Sequence, residues 1–266
     1  MLSTAQARDA ILAAMPAAES ETVPVAFATG RTLRQTVSAE RDQPPFDRVT
    51  MDGIAISFSE FDRGMRRFPI QAIQAAGDPA LTLESGKAIE IMTGASLPEG
   101  ADCIVPVERI DINDGAADIE AGYAAEERQF IHARGSDHVE GTELLTPGIC
   151  ISPMDIAIIA SCGLTEVTVS KKPAIRVIST GNELVPPGEP IEPHQIRLSN
   201  GPAVIALLKQ HGFGDCEHEH LADEPDLLRE RIAGQLQTGN VIVLSGGVSM
   251  GKADYLPEVL ATLGVE

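Results

Sequence analysis

Ala174-Ile175-Arg176-Val177-Ile178-Ser179-Thr180-Gly181-Asn182-Glu183-Leu184 is the stretch that sets the architecture of the second half of the chain. Residues 174–179 form an apolar, β-branched run of the kind buried in a sheet, and it ends on a glycine turn that carries an acid. After Pro173, strand and helix patterns alternate. Asn200 stands where a helix cap belongs, with Val204, Leu207 and Leu208 inward and Gly212 as the stop. Residues 215–220 read as a second strand, and Asp223 as the cap of a helix carrying Leu227, Leu228, Ile232 and Leu236. Residues 241–244 read as a third strand, entering a glycine-rich turn. This rhythm predicts a mostly parallel sheet with helices on its faces. Residues 257–263 suit a last helix, and Gly264-Val265-Glu266 resembles the approach to another strand, so the expectation is a domain cut before its end.

Open α/β sheets bind ligands beyond the carboxyl ends of their strands. Two loops fall there: Ser179, Thr180 and Gly181 with Glu183, and Ser245, Gly246, Gly247, Ser249 and Gly251. Glycine backbone can aim amides at a phosphate or oxyanion, and the carboxylates of Glu183 and Asp254 beside it suit a bridging magnesium ion. Glycines that merely turn the chain are the alternative. Residues 246–252 fit the opening of a P-loop, but Ala253 stands where that motif needs a metal-binding hydroxyl. Cys216-Glu217-His218-Glu219-His220 alternates sulfur and imidazole on one strand face, yet positions i and i+4 stand about 13 Å apart, too far for one ion. A partly exposed strand is expected there. Around Asn113-Asp114-Gly115, isoleucines occupy positions where a calcium loop needs ligands, so a hairpin is expected.

The first half has a different texture. Ser3 is placed to cap a helix through Met15, with Ile11, Leu12 and Met15 on one face and Pro16 ending it. Short β-branched runs at 23–27, 70–73, 88–92 and 103–107, separated by Gly, Pro and Asp, predict a β-rich region. Ser152-Pro153-Met154-Asp155 is a helix start, with Gly163 as its stop, and Lys171-Lys172-Pro173 marks a boundary.

Composition narrows the partners. The chain has 266 residues, 3% aromatic with no Trp, and 39 acids against 20 bases for a charge of −19. Such a field repels nucleic acid and anionic membranes, and base-stacking surfaces are not to be expected. Cys103, Cys150, Cys162 and Cys216 lack CxxC spacing and read as reduced thiols of a cytoplasmic protein. Neither a leader pattern nor a membrane-length apolar run is present in this sequence.

Several ordered segments carry a resemblance. Pro44 to Ala55 resembles the F-D-x-S-x-M-D-G-Y-A segment of molybdopterin molybdenumtransferases, a family that includes the C-terminal domain of gephyrin. Ile91 to Asp102 resembles its I-x-T-G-A-x-x-P-x-G-A-D, and Arg134 to Asp137 its R-x-G-x-D. S-T-G-x-E-L, an Asn after a short loop, the acids Asp223-Glu224 and S-G-G-V-S-x-G-x-x-D follow in family order.

The resemblance implies an α/β plus β-rich fold. An elongated domain of residues 1–45 and 137–172 would hold an inserted β domain of residues 46–136. An incomplete three-layer α/β domain, residues 173–266, would follow, similar to the one that adenylylates molybdopterin; the family's fourth domain lies beyond Glu266. The implied reaction inserts molybdate into molybdopterin-AMP with magnesium and releases AMP. The implied assembly is a homodimer whose clefts draw on both subunits, with molybdopterin adenylyltransferase upstream. The family's functional positions match Asp52, Thr93, Asp137, Glu183, Asp223 and Asp254. Glu183, Asp223 and Asp254 would hold the metal, while Asp52, Thr93 and Asp137 would address molybdate or the dithiolene. Asn200 joins the glycine loops in binding the pterin nucleotide. Lys252 and Leu198 stand where relatives often carry acids. A non-catalytic binding relative and an adenylyltransferase are the competing readings.

Overall fold

The architecture is that of a computed structural model, which describes residues 3–15, 17–246 and 255–265. The chain divides into two compact units. One comprises Pro24–Thr29 and Leu33–Val167; the other comprises Met1–Val23, Gly30–Thr32 and Thr168–Glu266.

Helix α1 (Thr4–Ala14) starts where expected: Ser3 and Gln6 form a reciprocal capping box. Its Ile11 and Leu12 remain exposed. Pro16 lies outside the described residues. Strand β1 (Ser20–Pro24) then gives way to a 3-10 turn over Val25–Phe27, where the sequence suggested strand. Pro24 is the last residue of the strand, and Val25 N still reaches the Thr165 carbonyl at 3.0 Å as the chain coils.

The β-rich unit is built from β2 (Val37–Ser38), β3 (Arg48–Val49), β4 (Gly53–Ile56), α2 (Phe58–Asp62), β5 (Arg67–Gln74), β6 (Ala88–Ile91), β7 (Cys103–Pro106), β8 (Ile110–Asn113), β9 (Ala116–Ile119), β10 (Ile131–His132), β11 (Glu143–Leu145) and α3 (Pro153–Ser161). Six of its strands form one sheet in the order β7-β4-β6-β5-β9-β8. Alternation along β4 sends Ile54 and Ile56 into a core with Phe68 and Val105. Ala55 goes into a second core, with Val49, Ile91 and Ile104. With both faces covered, β4 is buried throughout. Gly53 opens it because β7 crosses too close for a side chain: a Cβ there would lie 2.0 Å from the Val105 carbonyl oxygen. The Asp114-Gly115 turn, with φ of 53° and 72°, closes the β8–β9 hairpin as expected. A separate ladder pairs Arg48 with His132 and Val49 with Ile131. Helix α3 has the Ser152 capping box and Pro at its start, with Gly163 at φ 72° behind it.

Strand β12 (Glu166–Ser170), the partner of β1, leads to β13 (Ile175–Thr180), β14 (Leu184–Val185), β15 (Ile196–Arg197), α4 (Asn200–Gln210), β16 (Cys216–Leu221), α5 (Pro225–Thr238), β17 (Val241–Ser245) and α6 (Leu256–Thr262). The expected parallel sheet has the order β16-β13-β17, with β13 buried at every residue. Ile178 packs on one face with Leu228, Ile232, Leu256 and Val259 of α5 and α6. Ile175 and Val177 pack on the other with Val204, Ile205 and Leu208 of α4. Helix, sheet and helix make three layers.

Two helix starts differ from the sequence reading. Ser199 takes the cap position of α4 and Glu224 that of α5, so neither Asn200 nor Asp223 is a capping residue. Each is displaced by one residue, and each is used in tertiary bonds instead. Leu207 and Leu236 are exposed rather than inward.

Candidate functional site

In the α/β unit the carboxyl ends of three parallel strands bring the expected loops together. Thr180, Gly181, Asn182 and Glu183 follow β13, Ala222 and Asp223 follow β16, and Ser245 and Gly246 close β17. The loops are tied to one another. Asn182 Oδ1 accepts the Asp223 amide at 3.1 Å, which sets the two acid-bearing loops side by side. Asn200 Nδ2 donates to Ser245 Oγ at 3.1 Å, fixing the first turn of α4 against the end of β17.

Two of these glycines are fixed in different ways, Gly246 by space and Gly181 by its backbone at φ 145°. A Cβ on Gly181 would meet the Glu183 carboxylate at 2.6 Å, and one on Gly246 would meet the Thr180 carbonyl oxygen at 2.6 Å and its Oγ1 at 2.7 Å. The Thr180 hydroxyl itself is enclosed and without a hydrogen-bond partner among the described residues. A buried, unsatisfied hydroxyl at a glycine-floored strand end is a group prepared for a ligand or ordered water. Gly247, Ser249, Gly251, Lys252 and Asp254 lie outside the described residues. Among those described, no three His, Cys, Asp or Glu side chains cluster as a metal site. Glu183 and Asp223 carry carboxylates on these linked loops.

The histidines of β16 are accounted for by hydrogen bonds. His218 Nε2 pairs with Ser179 Oγ at 3.0 Å and His220 Nε2 with the Gly181 carbonyl at 2.8 Å. Burial, with a smaller push from His220, holds His218 below the usual imidazole range. Buried Cys216 bonds the Phe213 carbonyl. Strand pairing and packing therefore consume the whole motif. These contacts, and the Asn182 tie, escaped the sequence reading; Asn182 lay inside a quoted loop, but nothing marked its partner.

In the β-rich unit Asp52 and Thr93 meet directly. Asp52 Oδ1 accepts the Thr93 hydroxyl at 2.5 Å and its amide at 2.6 Å. Those two donors, the hydroxyl foremost, hold the Asp52 carboxyl below the ordinary range although it is exposed. Asp137 accepts from His132 at 2.9 Å, and His132 Nδ1 meets Arg48 Nη2 at 3.1 Å.

The other acids of the same motifs are scaffold. Asp47 accepts the Arg134 amide and the Arg128 guanidinium at 2.8 Å and 2.7 Å. Burial pushes Asp47 up, but these donors outweigh it and its carboxyl stays low. Asp42 holds the Glu140 amide and Arg134 Nε, and Asp102 Oδ1 receives the Phe58 amide at the start of α2. The loop before Asp137 is thus strapped to residues 42–47, with Asp137 N donating to the Gln43 carbonyl at 2.9 Å.

A three-layer α/β unit with a glycine-floored, acid-bearing rim, and a β-rich unit presenting the Asp52–Thr93 carboxylate–hydroxyl pair, place the protein among α/β proteins whose ligand site lies at the carboxyl ends of the strands. Comparison with known families supports this. Residues 2–163 match the family described as "MoeA N-terminal region (domain I and II)", and residues 176–266 match "Probable molybdopterin binding domain". A molybdopterin molybdenumtransferase from Synechocystis is 37% identical over the whole chain, which spans 68% of that relative. One from Bacillus subtilis is 30% identical over 93% of the chain and 59% of its own length. The crystal structure of a molybdopterin biosynthesis MoeA protein from Pyrococcus horikoshii superposes with a TM-score of 0.83 at 28% identity, covering all of this chain and 67% of its own. The chain belongs to the molybdopterin molybdenumtransferase family. It spans 68% and 59% of the length of those two curated relatives. No described helix is long and apolar enough to cross a membrane, and all four cysteines are free thiols, three buried and Cys150 exposed.

Proposed function

We propose that this protein inserts molybdate into adenylylated molybdopterin and releases AMP. The observation that carries the reading is the rim of the α/β unit, where Asn182 links the Glu183 and Asp223 loops beside Gly181, at φ 145°, and Gly246, whose Cβ would meet the Thr180 carbonyl. Backbone amides there suit a phosphate. Magnesium held by Glu183 and Asp223, with Asp254 as a third candidate, would offset the charge of a pyrophosphate in an acidic protein. Asn200, Ser179, Thr180 and Ser245 then hold the nucleotide by hydrogen bonds.

Asp52 and Asp137 suit proton work better than molybdate binding. An ionised carboxylate repels a dianionic oxyanion, but it can relay the two protons that the dithiol gives up, as two Mo–S bonds form, to the molybdate oxygen whose bond to molybdenum breaks and which leaves as water. Thr93 orients Asp52 for that task through its hydroxyl and amide. We further propose that the protein works in the cytoplasm as a homodimer and receives its substrate from an adenylyltransferase. Free thiols favour that compartment.

The test is AMP release from molybdopterin-AMP, with molybdate and magnesium added and withheld in turn. Release that needs both, and falls at least about a hundredfold in Glu183→Gln or Asp52→Asn, supports the reading. Tight binding of intact molybdopterin-AMP with no release under any condition would leave a binding protein, and AMP transfer from ATP to molybdopterin would assign the preceding step.

A further inference from the structure

Arg48 and His132 lie outside the residues assigned above, yet they form a chain of contacts that ends on Asp137. The β3–β10 ladder places Arg48 directly opposite His132, and Arg48 Nη2 reaches His132 Nδ1 at 3.1 Å. A guanidinium has no acceptor and does not lose its proton in proteins. His132 Nδ1 must therefore accept, which puts the ring proton on Nε2. That nitrogen faces Asp137 Oδ1 at 2.9 Å. Every donor in the series points toward the carboxylate. The two ends are anchored, since Asp137 N is held by Gln43 and the ladder sets Arg48 and His132 in register.

We infer that Arg48 and His132 are positioning residues for Asp137: Arg48 fixes the His132 tautomer, and His132 Nε2–H aims and orients the Asp137 carboxylate for its proton-accepting role. The catalytic half of this statement rests on the proposed molybdate-insertion reaction; the tautomer half does not. Asp137 is exposed, so without His132 its side chain would sample several rotamers. Like the partners that orient metal-bound histidines, the chain acts by restricting geometry, and removing such partners typically costs about 10- to 100-fold in activity.

Two measurements on the full chain test this separately. Long-range 1H–15N spectra of the imidazole, with His132 assigned by the peak lost in His132→Gln, read the tautomer directly. The neutral ring should show the proton on Nε2. Arg48→Met removes the donor that makes Nδ1 accept, so the Nδ1–H form of the neutral ring should become populated. A tautomer unchanged in Arg48→Met, or an Nδ1–H ring in the parent, overturns the relay whatever the activity. In the AMP-release assay His132→Leu should lower kcat about tenfold or more with KM within about twofold, while His132→Gln, whose amide can both accept and donate, should recover most of it. Equal losses in Leu and Gln variants overturn the positioning role. An intact relay in a protein that never releases AMP overturns the proposed reaction instead.

Discussion

Replacing Gly201 by Ala tests whether the His218 contact beneath α4 is as tight as the geometry requires. A Cβ at position 201 would lie 2.0 Å from His218 Nε2, 2.3 Å from Cδ2 and 2.6 Å from Cε1. The ring is held on β16 by parallel pairing and cannot remain where it is. Displacing it breaks the 3.0 Å bond to Ser179 Oγ, and Ser179 is only 1% exposed, so its hydroxyl loses its partner away from water. An unsatisfied buried hydroxyl costs about 1–3 kcal/mol and overpacking about 1–3 kcal/mol, against at most about 1 kcal/mol gained by Ala over Gly in a helix. The net expectation is a loss of about 3 kcal/mol. Because the chain has two compact units, one global unfolding transition is the wrong measure. Hydrogen exchange at β13 and β16 amides reports this unit directly. The decisive comparison is a double-mutant cycle: on a His218→Ala background the same Gly201→Ala change meets open space and should cost less than about 0.5 kcal/mol. A Gly201→Ala cost below about 1 kcal/mol, or one equal in both backgrounds, would refute the argument.

Three further outcomes follow from individual contacts. Gly53→Ala should destabilise the β-rich unit by about 3 kcal/mol or more, since the new Cβ meets the Val105 carbonyl at 2.0 Å and backbone cannot step aside; proteolysis of that unit unchanged from the parent would count against it. Thr93→Val should raise the folded Asp52 pKa part of the way back toward 3.8, because the hydroxyl bond is lost and the amide bond stays. The depressed value means that Asp52 adds stability above its unfolded pKa and loses it as pH falls through the lower folded one; the variant narrows that acid window, as a carboxyl 13C titration would register. Native protein at pH 8 should alkylate at exposed Cys150 and leave Cys103 untouched, since burial and then Asp102 push the Cys103 thiol up to about 12; peptide mapping that finds Cys103 modified before unfolding would overturn this.

The alternation of β-branched runs with helical patterns was enough to anticipate the parallel sheet, its three layers and the rim where the loops meet. Those features are set by periodicity and by turn residues, both local properties of the chain. The starts of α4 and α5 were misplaced because Asn200 and Asp223 are good capping residues by type. Their actual neighbours are Ser245 and Asn182, which are distant in sequence. The strand expected at 23–27 ends at Pro24, and residues 25–27 form a 3-10 turn instead.

The acids of the β-rich unit show most clearly what sequence reading can and cannot separate. Asp47, Asp52, Asp102 and Asp137 all sit in the segments that carry the family resemblance, and by residue type they are equivalent. The structure sorts them by what their oxygens already do. Asp47 is filled by the Arg134 amide and a guanidinium, and Asp102 caps α2. Asp52 is held by a single neighbouring residue, and Asp137 by a single imidazole, and both carboxylates stay exposed. Asp47 and Asp102 are half-buried, and a carboxylate spent on the fold in this way has its desolvation offset by donors inside the protein. One kept for chemistry must be aimed yet left open to its ligand. That difference is decided by donors brought from elsewhere in the chain, 41 positions away for Thr93 and five for His132, so the same motif can hold structural and functional acids with nothing in its own spelling to distinguish them.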